Sequence, residues 1–185
     1  MNLKNVLSTV AAGVGLFALN VQAAEADAAK GGGKLAPGDQ KFVMKAAQGG
    51  MAEVKLGELA KEKGKSDEVK KFGEQMVTDH SKANEELKGV ATQKGITLPE
   101  KLDASHAAAI EKMSKLEGDQ FDKAYVADML KDHKEDVAEF EQASKSLKDP
   151  EIKGFATNTL PTLKQHLEHV QALKGETGKA GTKAK

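Results

Sequence analysis

Apolar residues recur at the period of an α-helix through most of this chain, and this periodicity is the strongest constraint on its fold. Between Val69 and Val90, for example, apolar side chains follow one another in steps of three, four and seven. Such steps place them on one face of a helix. A polar residue, His80, fills the gap in the longest step. The pattern predicts an all-α protein in which a histidine points into the core.

Start and stop signals divide the periodic region into five predicted helices. These span residues 39–63, 66–94, 104–116, 119–147 and 150–173. Asp39, Ser66 and Asp103 are predicted N-caps, and glycines such as Gly64 and Gly95 mark helix ends. Four of the helices are long, whereas the third is short.

The connections between the helices predict how they are arranged. Tight turns at residues 64–66 and 148–150 produce two antiparallel hairpins, whereas residues 95–118 are long enough to run back along a bundle. This combination is typical of a ferritin-like four-helix bundle with a short extra helix in the crossover. The alternative is a simple up-and-down bundle. Gly49-Gly50 either allows another helix to approach closely or breaks the first helix.

The two ends of the chain lack helical periodicity. Residues 1–23 combine Lys4 with a short apolar run and small residues at its end, as a cleaved secretory signal peptide does. A membrane anchor is the less favoured alternative because the run is short and interrupted. Residues 24–37 and 175–185 are rich in glycine, which predicts a flexible linker and a flexible tail around one domain at 38–174. We therefore expect an exported, periplasmic or envelope-associated protein without a transmembrane anchor after signal removal.

The composition excludes several classes of function. The chain has no cysteine, so its core rather than disulfide bonds must stabilise it. Its formal net charge is zero, all its basic residues are lysines, and it has one tyrosine and no tryptophan. These features disfavour nucleic-acid and phosphate recognition. No nucleophile–base pair, phosphate loop or metalloprotease motif is present, which favours a non-enzymatic function and leaves protein partners and oligomeric state open.

Each of the four long helices carries one ionisable residue on its apolar stripe. These residues are Glu53, His80, His133 and His166. With a rise of about 1.5 Å per residue counted from the hairpin turns, they lie at similar heights. A buried carboxylate is costly and buried imidazoles need partners, so a shared ligand is expected. Three imidazoles and a carboxylate suit a divalent ion such as Zn, Fe, Mn or Cu.

Four further polar residues flank this predicted layer. Asp79 and Asp132 precede His80 and His133 and lie about 100° around their helices from them, which suits groups that orient a ligand. Asp136 and His169 follow His133 and His166 by about one turn. They are candidates for additional ligands, or else surface residues.

Several motifs are shared with a known family. They are residues 50–60 (GMAEVKLGELA), 69–80 (VKKFGEQMVTDH), Phe121-Asp122 with Tyr125, and Leu160-Pro161 with His166-Leu167. With them, residues 39–174 resemble the bacterial domain-of-unknown-function 4142 family, exported proteins assigned to the ferritin-like superfamily. The resemblance implies the helical fold and the exported location. The family's matching positions include Glu53, His80, His133 and His166. It implies no activity, because none is established for the family.

The chain departs from the ligand pattern of di-iron bundles, which use Glu-x-x-His on two helices. The residues three before the three histidines are Val77, Leu130 and Leu163. Ferroxidase or oxygen-activating chemistry is therefore not expected from the fold. The leading hypothesis is a non-enzymatic metal-binding bundle in envelope metal handling or stress tolerance. The alternatives are a structural or partner-binding bundle whose histidines bond only to carboxylates, and a metal-dependent oxidase or hydrolase.

Overall fold

The computed structural model describes residues 35–180, with side chains through Gly175. This part of the chain folds into helices without any strand, which confirms the predicted fold class. The helices are α1 (Pro37–Lys63), α2 (Asp67–Gln93), α3 (Ala104–Ser114), α4 (Gly118–Ser146) and α5 (Pro150–Ala180). The predicted signal peptide and most of the predicted linker lie outside the described residues. No described helix has the length and apolar character needed to cross a bilayer.

The helix ends follow the capping signals closely. The Ser66 hydroxyl accepts a hydrogen bond from the Val69 N–H at 3.1 Å, and the Asp103 carboxylate accepts one from the His106 N–H at 2.9 Å. Of the two alternatives for Gly49-Gly50, a break of the first helix is wrong, because α1 continues through both glycines. The fifth helix differs from the sequence expectation, because α5 continues to Ala180, into the predicted flexible tail. No proline lies between residues 173 and 180, so the helix is not forced to end at residue 173.

Two buried carboxylates connect the hairpins, and one of them corrects a prediction. Asp39 is not an N-cap, because α1 begins earlier, behind Ala36. Its carboxylate instead accepts hydrogen bonds from the Lys148 and Asp149 N–H groups, both at 2.9 Å. Asp122 does the same in the other half and accepts bonds from the N–H groups of Lys65 and Ser66 at 2.8 and 2.9 Å. Each hairpin thus supplies the acceptors that the turn of the other hairpin requires.

These contacts also fix the helix directions. The start of α1 lies at the α4–α5 turn and the start of α4 lies at the α1–α2 turn, so α1 and α4 are antiparallel. Lys94, at the end of α2, forms a 2.8 Å ion pair with Asp149 at the start of α5, so these two helices are antiparallel as well. Consequently α2 and α4 are parallel, and the segment containing α3 crosses the length of the bundle. This is the ferritin-like arrangement rather than the up-and-down alternative.

The apolar core consists of two clusters separated by a polar layer. One cluster is built around Phe72, Tyr125 and Met129, and the other around Phe42, Phe140 and Ile152. On every long helix the residues of the two clusters lie on opposite sides of one buried ionisable residue. The layer therefore interrupts a core that would otherwise be continuous.

Candidate metal centre

The structure brings the four predicted inward-facing residues together. One ring nitrogen from each of His80, His133 and His166 lies within 4.8 Å of the others. The three histidines and Glu53 are all at most 5% exposed. Glu53 Oε2 is 2.8 Å from His80 Nδ1, and Glu53 Oε1 is 3.7 Å from His133 Nε2. We call His80, His133 and His166 the histidine cluster.

One nitrogen of each ring is held by a hydrogen-bond acceptor. His133 Nδ1 donates to the Met129 carbonyl at 3.0 Å, and His166 Nε2 donates to the Asp79 carboxylate at 2.8 Å. His80 Nδ1 donates to Glu53 in the same way. Because a neutral imidazole carries one proton, the other nitrogen of each ring has a lone pair that is available to a ligand. Metal-binding histidines are oriented in this manner, by a carbonyl or carboxylate on the opposite nitrogen.

The second nitrogens create an electrostatic conflict in the core. His133 Nε2 and His166 Nδ1 are 3.3 Å apart. Because the other nitrogen of each ring already donates to the Met129 carbonyl or the Asp79 carboxylate, these two nitrogens face each other with lone pairs when both rings are neutral. His80 Nε2 and Glu53 Oε1 are buried without a hydrogen-bond partner. A cation among the three histidine nitrogens would satisfy their lone pairs. The 3.3 Å separation also fits two nitrogens about 2.0–2.1 Å from a tetrahedral ion, which lie about 3.3–3.4 Å apart.

Burial keeps the imidazoles neutral. It lowers the pKa of His80 and of His133 to about 4, and it lowers the pKa of His166 as well. At neutral pH the cluster therefore offers lone pairs rather than protons. Burial raises the pKa values of Glu53 and Asp136, which lie next to each other. The charge of Glu53 raises the pKa of Asp136 further, so the negative charge of the pair lies on Glu53, the residue nearer to the cluster.

The sequence profile of a family described as Domain of unknown function (DUF4142) matches residues 24–173, most of the chain. The chain belongs to the DUF4142 family. Among solved structures, a crystal structure of a DUF305 fragment from Deinococcus radiodurans is similar, with a TM-score of 0.68. The two chains are 16% identical, and the similarity covers 78% of this chain and 99% of the other, which shows a shared fold only. No curated protein matches the chain.

The aspartates predicted to flank the polar layer differ in whether they contact the residues of the metal centre. Asp79 orients His166, and Asp136 contacts Glu53. Asp132 is only partly buried, 3.8 Å from the ammonium of Lys131.

Two of the five histidines lie outside the histidine cluster. His169 Nδ1 donates a hydrogen bond to Gln75 Oε1 at 3.1 Å, and its ring packs against Phe72 with 4.9 Å between ring centres. His106, on α3, is partly exposed, and its Nδ1 lies 2.9 Å from a carboxylate oxygen of Asp103, the N-cap of the same helix.

Two polar groups near the polar layer could not be identified from the sequence. The Met129 carbonyl orients His133, but every helical residue has a carbonyl four positions before it, so no signal distinguishes this one. The Tyr125 hydroxyl is fully buried and has no hydrogen-bond partner. Burial and the charge of Glu53 both raise the pKa of Tyr125. Tyr125 lies on an apolar stripe, so the sequence identified it as a core residue and gave no sign that its hydroxyl is buried without a partner.

Because Asp136 holds a proton in the folded state, the stability of the metal-free domain should depend on pH. Burial and then the charge of Glu53 raise the pKa of Asp136 from 3.8 to about 9. Between these values the folded state binds a proton that the unfolded state does not, so stability falls as pH rises toward 9. The slope contributed is at most about 1.4 kcal/mol per pH unit. Asp136→Asn, which mimics the protonated carboxyl, should remove this contribution between pH 7.5 and 9.

Urea unfolding at several pH values in the presence of a chelator measures this effect. Glu141→Gln is the control, because Glu141 is exposed on the same helix and pairs with Lys164. Parallel pH profiles for wild type and Asp136→Asn would show that Asp136 is already ionised in the folded state.

Proposed function

We propose that this protein is an exported helical bundle that binds a divalent transition-metal ion through His80, His133 and His166. Glu53 lies beside them as a fourth donor or as the group that orients His80. The observation that carries the proposal is the buried contact between His133 Nε2 and His166 Nδ1, 3.3 Å apart, in which neutral rings place two lone pairs face to face. Neutral imidazole nitrogens prefer Zn, Cu, Fe or Ni over Mg or Ca.

A proton between the two rings is a weaker explanation than a metal ion. Such a proton would make an imidazolium in the core, whereas burial lowers the pKa values of both rings. A purely structural network is also disfavoured, because it would leave His80 Nε2 and Glu53 Oε1 without partners. Buried polar atoms without hydrogen bonds destabilise a fold by about 1–3 kcal/mol each. A bound ion would satisfy such atoms, so the free energy that they cost the metal-free fold would strengthen binding.

The function that these features support is the binding and holding of metal in the cell envelope. The histidine cluster is enclosed between two apolar clusters, which suits retention of an ion better than turnover of a substrate. The export on which the envelope location depends remains a proposal drawn from residues 1–23.

Thermal unfolding with added metal ions tests the proposal. The protein should be unfolded in chelator, refolded without metal and then titrated with Zn, Cu, Ni, Fe(II) and Mn ions. At 100 times Kd, an ion that binds only the folded state stabilises it by about 2.7 kcal/mol. For a domain of this size that raises Tm by about 5–10 °C. An unchanged Tm with every ion would contradict the proposal.

A further inference from the structure

A row of carboxylates leads from the surface toward the histidine cluster. Asp128, Asp132 and Asp136 follow one another at intervals of four residues on α4 and line one cavity with residues of α1 and α3. Residues four apart in a helix lie on the same face. We call these three residues the acidic row. Across the cavity α1 contributes Gly49 and Ala52, whose small side chains leave space, and α3 contributes His106.

At the inner end of the cavity lies a buried carboxylate oxygen, Glu53 Oε1, which has no hydrogen-bond partner. Glu53 lines the same cavity as the acidic row, and it also lines the adjoining space next to His80. Its side chain is only 5% exposed, and Oε1 accepts no hydrogen bond. Asp136, in contact with Glu53, borders both spaces. Carboxylate oxygens therefore continue from the partly exposed Asp128 to the nitrogens of the cluster.

The acidic row is electrostatically unfavourable without a cation. Asp128 and Asp132 are both partly buried and lie one turn apart on the same face of α4. Among the described residues, Asp128 accepts no hydrogen bond, and the nearest ammonium to Asp132 is that of exposed Lys131 at 3.8 Å. The other lysine of the cavity, Lys45, is bonded to Glu139. The carboxylates of Asp128 and Asp132 thus repel each other, and within the described part of the chain no hydrogen bond or close ion pair compensates for this repulsion.

A second cavity reaches the histidine cluster between α2 and α5. It is lined by His80 and His166, by Lys82 and by two carboxylates, Asp79 and Glu86. Asp79 already accepts the His166 hydrogen bond. The cavity of the acidic row has five carboxyl side chains against two lysines, Lys45 and Lys131, so its charge favours the approach of a cation more strongly.

We infer that the acidic row is the access route by which a divalent cation reaches the histidine cluster. The inference rests on the proposed function and adds to it the path and the residues that capture the ion. Clefts lined with charge of one sign raise the association rates of oppositely charged ligands by about 10–1,000-fold. Asp128 and Asp132 bind no ion permanently in this role. They raise the local concentration of the cation and pass it to Glu53, which carries the negative charge at the inner end of the row.

Stopped-flow measurement of Zn²⁺ or Ni²⁺ association with the refolded full chain tests the route. The variant is Asp128→Asn with Asp132→Asn, and the matched control is Asp119→Asn with Glu141→Gln. The control changes the net charge equally on the same helix, at exposed positions paired with Lys65 and Lys164. At low ionic strength the association rate constant of the variant should fall about tenfold or more relative to the control. Dissociation should slow in parallel, so Kd changes only a few-fold, and added salt should reduce the difference.

Each outcome separates the route from the proposed function. Wild-type protein that binds no ion overturns both. Wild-type protein that binds, with equal association rates in variant and control, overturns the route alone. Slower association in Glu86→Gln, whose side chain lines the α2–α5 cavity, would assign access to that side instead. Circular dichroism establishes that each variant is folded, and removal of mutual repulsion should leave the melting temperature of the variant unchanged or higher.

Discussion

Replacing His133 by leucine should abolish the metal-induced rise in Tm and leave the metal-free bundle folded. The His133 ring is fully buried and supplies one of the two facing lone pairs. Loss of one imidazole from the cluster should weaken binding more than loss of an orienting group, which costs about 10–100-fold. At an ion concentration 100 times the wild-type Kd, the stabilisation should fall from about 2.7 kcal/mol to about 0.4 kcal/mol or less.

The metal-free variant should tolerate leucine for a local reason. The Met129 carbonyl that accepts the His133 Nδ1 proton also receives the backbone N–H of residue 133 within the continuous helix α4. Leucine therefore leaves no unsatisfied group there, and it removes the lone-pair conflict with His166. We expect its metal-free stability to stay within about 2 kcal/mol of wild type, since the change nearly conserves volume.

His169→Gln is the matched control for this experiment. It also removes an imidazole, one turn along the helix from His166, but His169 contacts Gln75 and Phe72 rather than the cluster. The control should retain the full metal-induced shift in Tm. Retention of the shift in His133→Leu, or its loss in His169→Gln, would show that the ion binds elsewhere.

The height of the polar layer was predictable from the sequence, whereas the orientation of its groups was not. Capping residues such as Ser66 fix where a helix begins, and the constant helical rise then fixes the level of His80. Ring orientation depends on tertiary contacts. Asp79 adjoins His80 in sequence, yet its carboxylate orients His166 on another helix. Glu53, predicted as a ligand or as a hydrogen-bond partner of the histidines, positions His80 through a 2.8 Å contact.

Local signals failed where a residue serves a distant part of the chain. Asp39 precedes an apolar helix, as an N-cap does, but its carboxylate satisfies the turn of the other hairpin. The sequence near Asp39 contains nothing about residues 148 and 149. The chain direction of α4 relative to α1 was likewise left open by the loop lengths, and the paired contacts of Asp39 and Asp122 determine it.

Glycines at the α1–α2 contact set the distance between two helices of the metal centre. A Cβ atom on Gly73 would lie 2.7 Å from Ala60 Cβ and 2.8 Å from the Gly57 carbonyl oxygen. Neither neighbour is the flexible end of a side chain, so α1 and α2 must separate to admit a methyl group. The contact lies two turns from His80 on α2 and about one turn from Glu53 on α1. Helix separation should therefore also lengthen the Glu53–His80 hydrogen bond.

Gly73→Ala should consequently reduce both stability and metal affinity. Overpacking of a tight contact costs about 1–3 kcal/mol, which corresponds here to a fall in Tm of about 2–12 °C. Gly49→Ala on α1 is the matched control, because no atom lies within 4 Å of its added Cβ. Alanine in place of glycine in an open helix position should stabilise the fold by about 0.5–1 kcal/mol. Thermal unfolding with and without metal measures both effects. If Gly73→Ala were as stable as Gly49→Ala, α1 and α2 would not be held at the distance on which the Glu53–His80 contact depends.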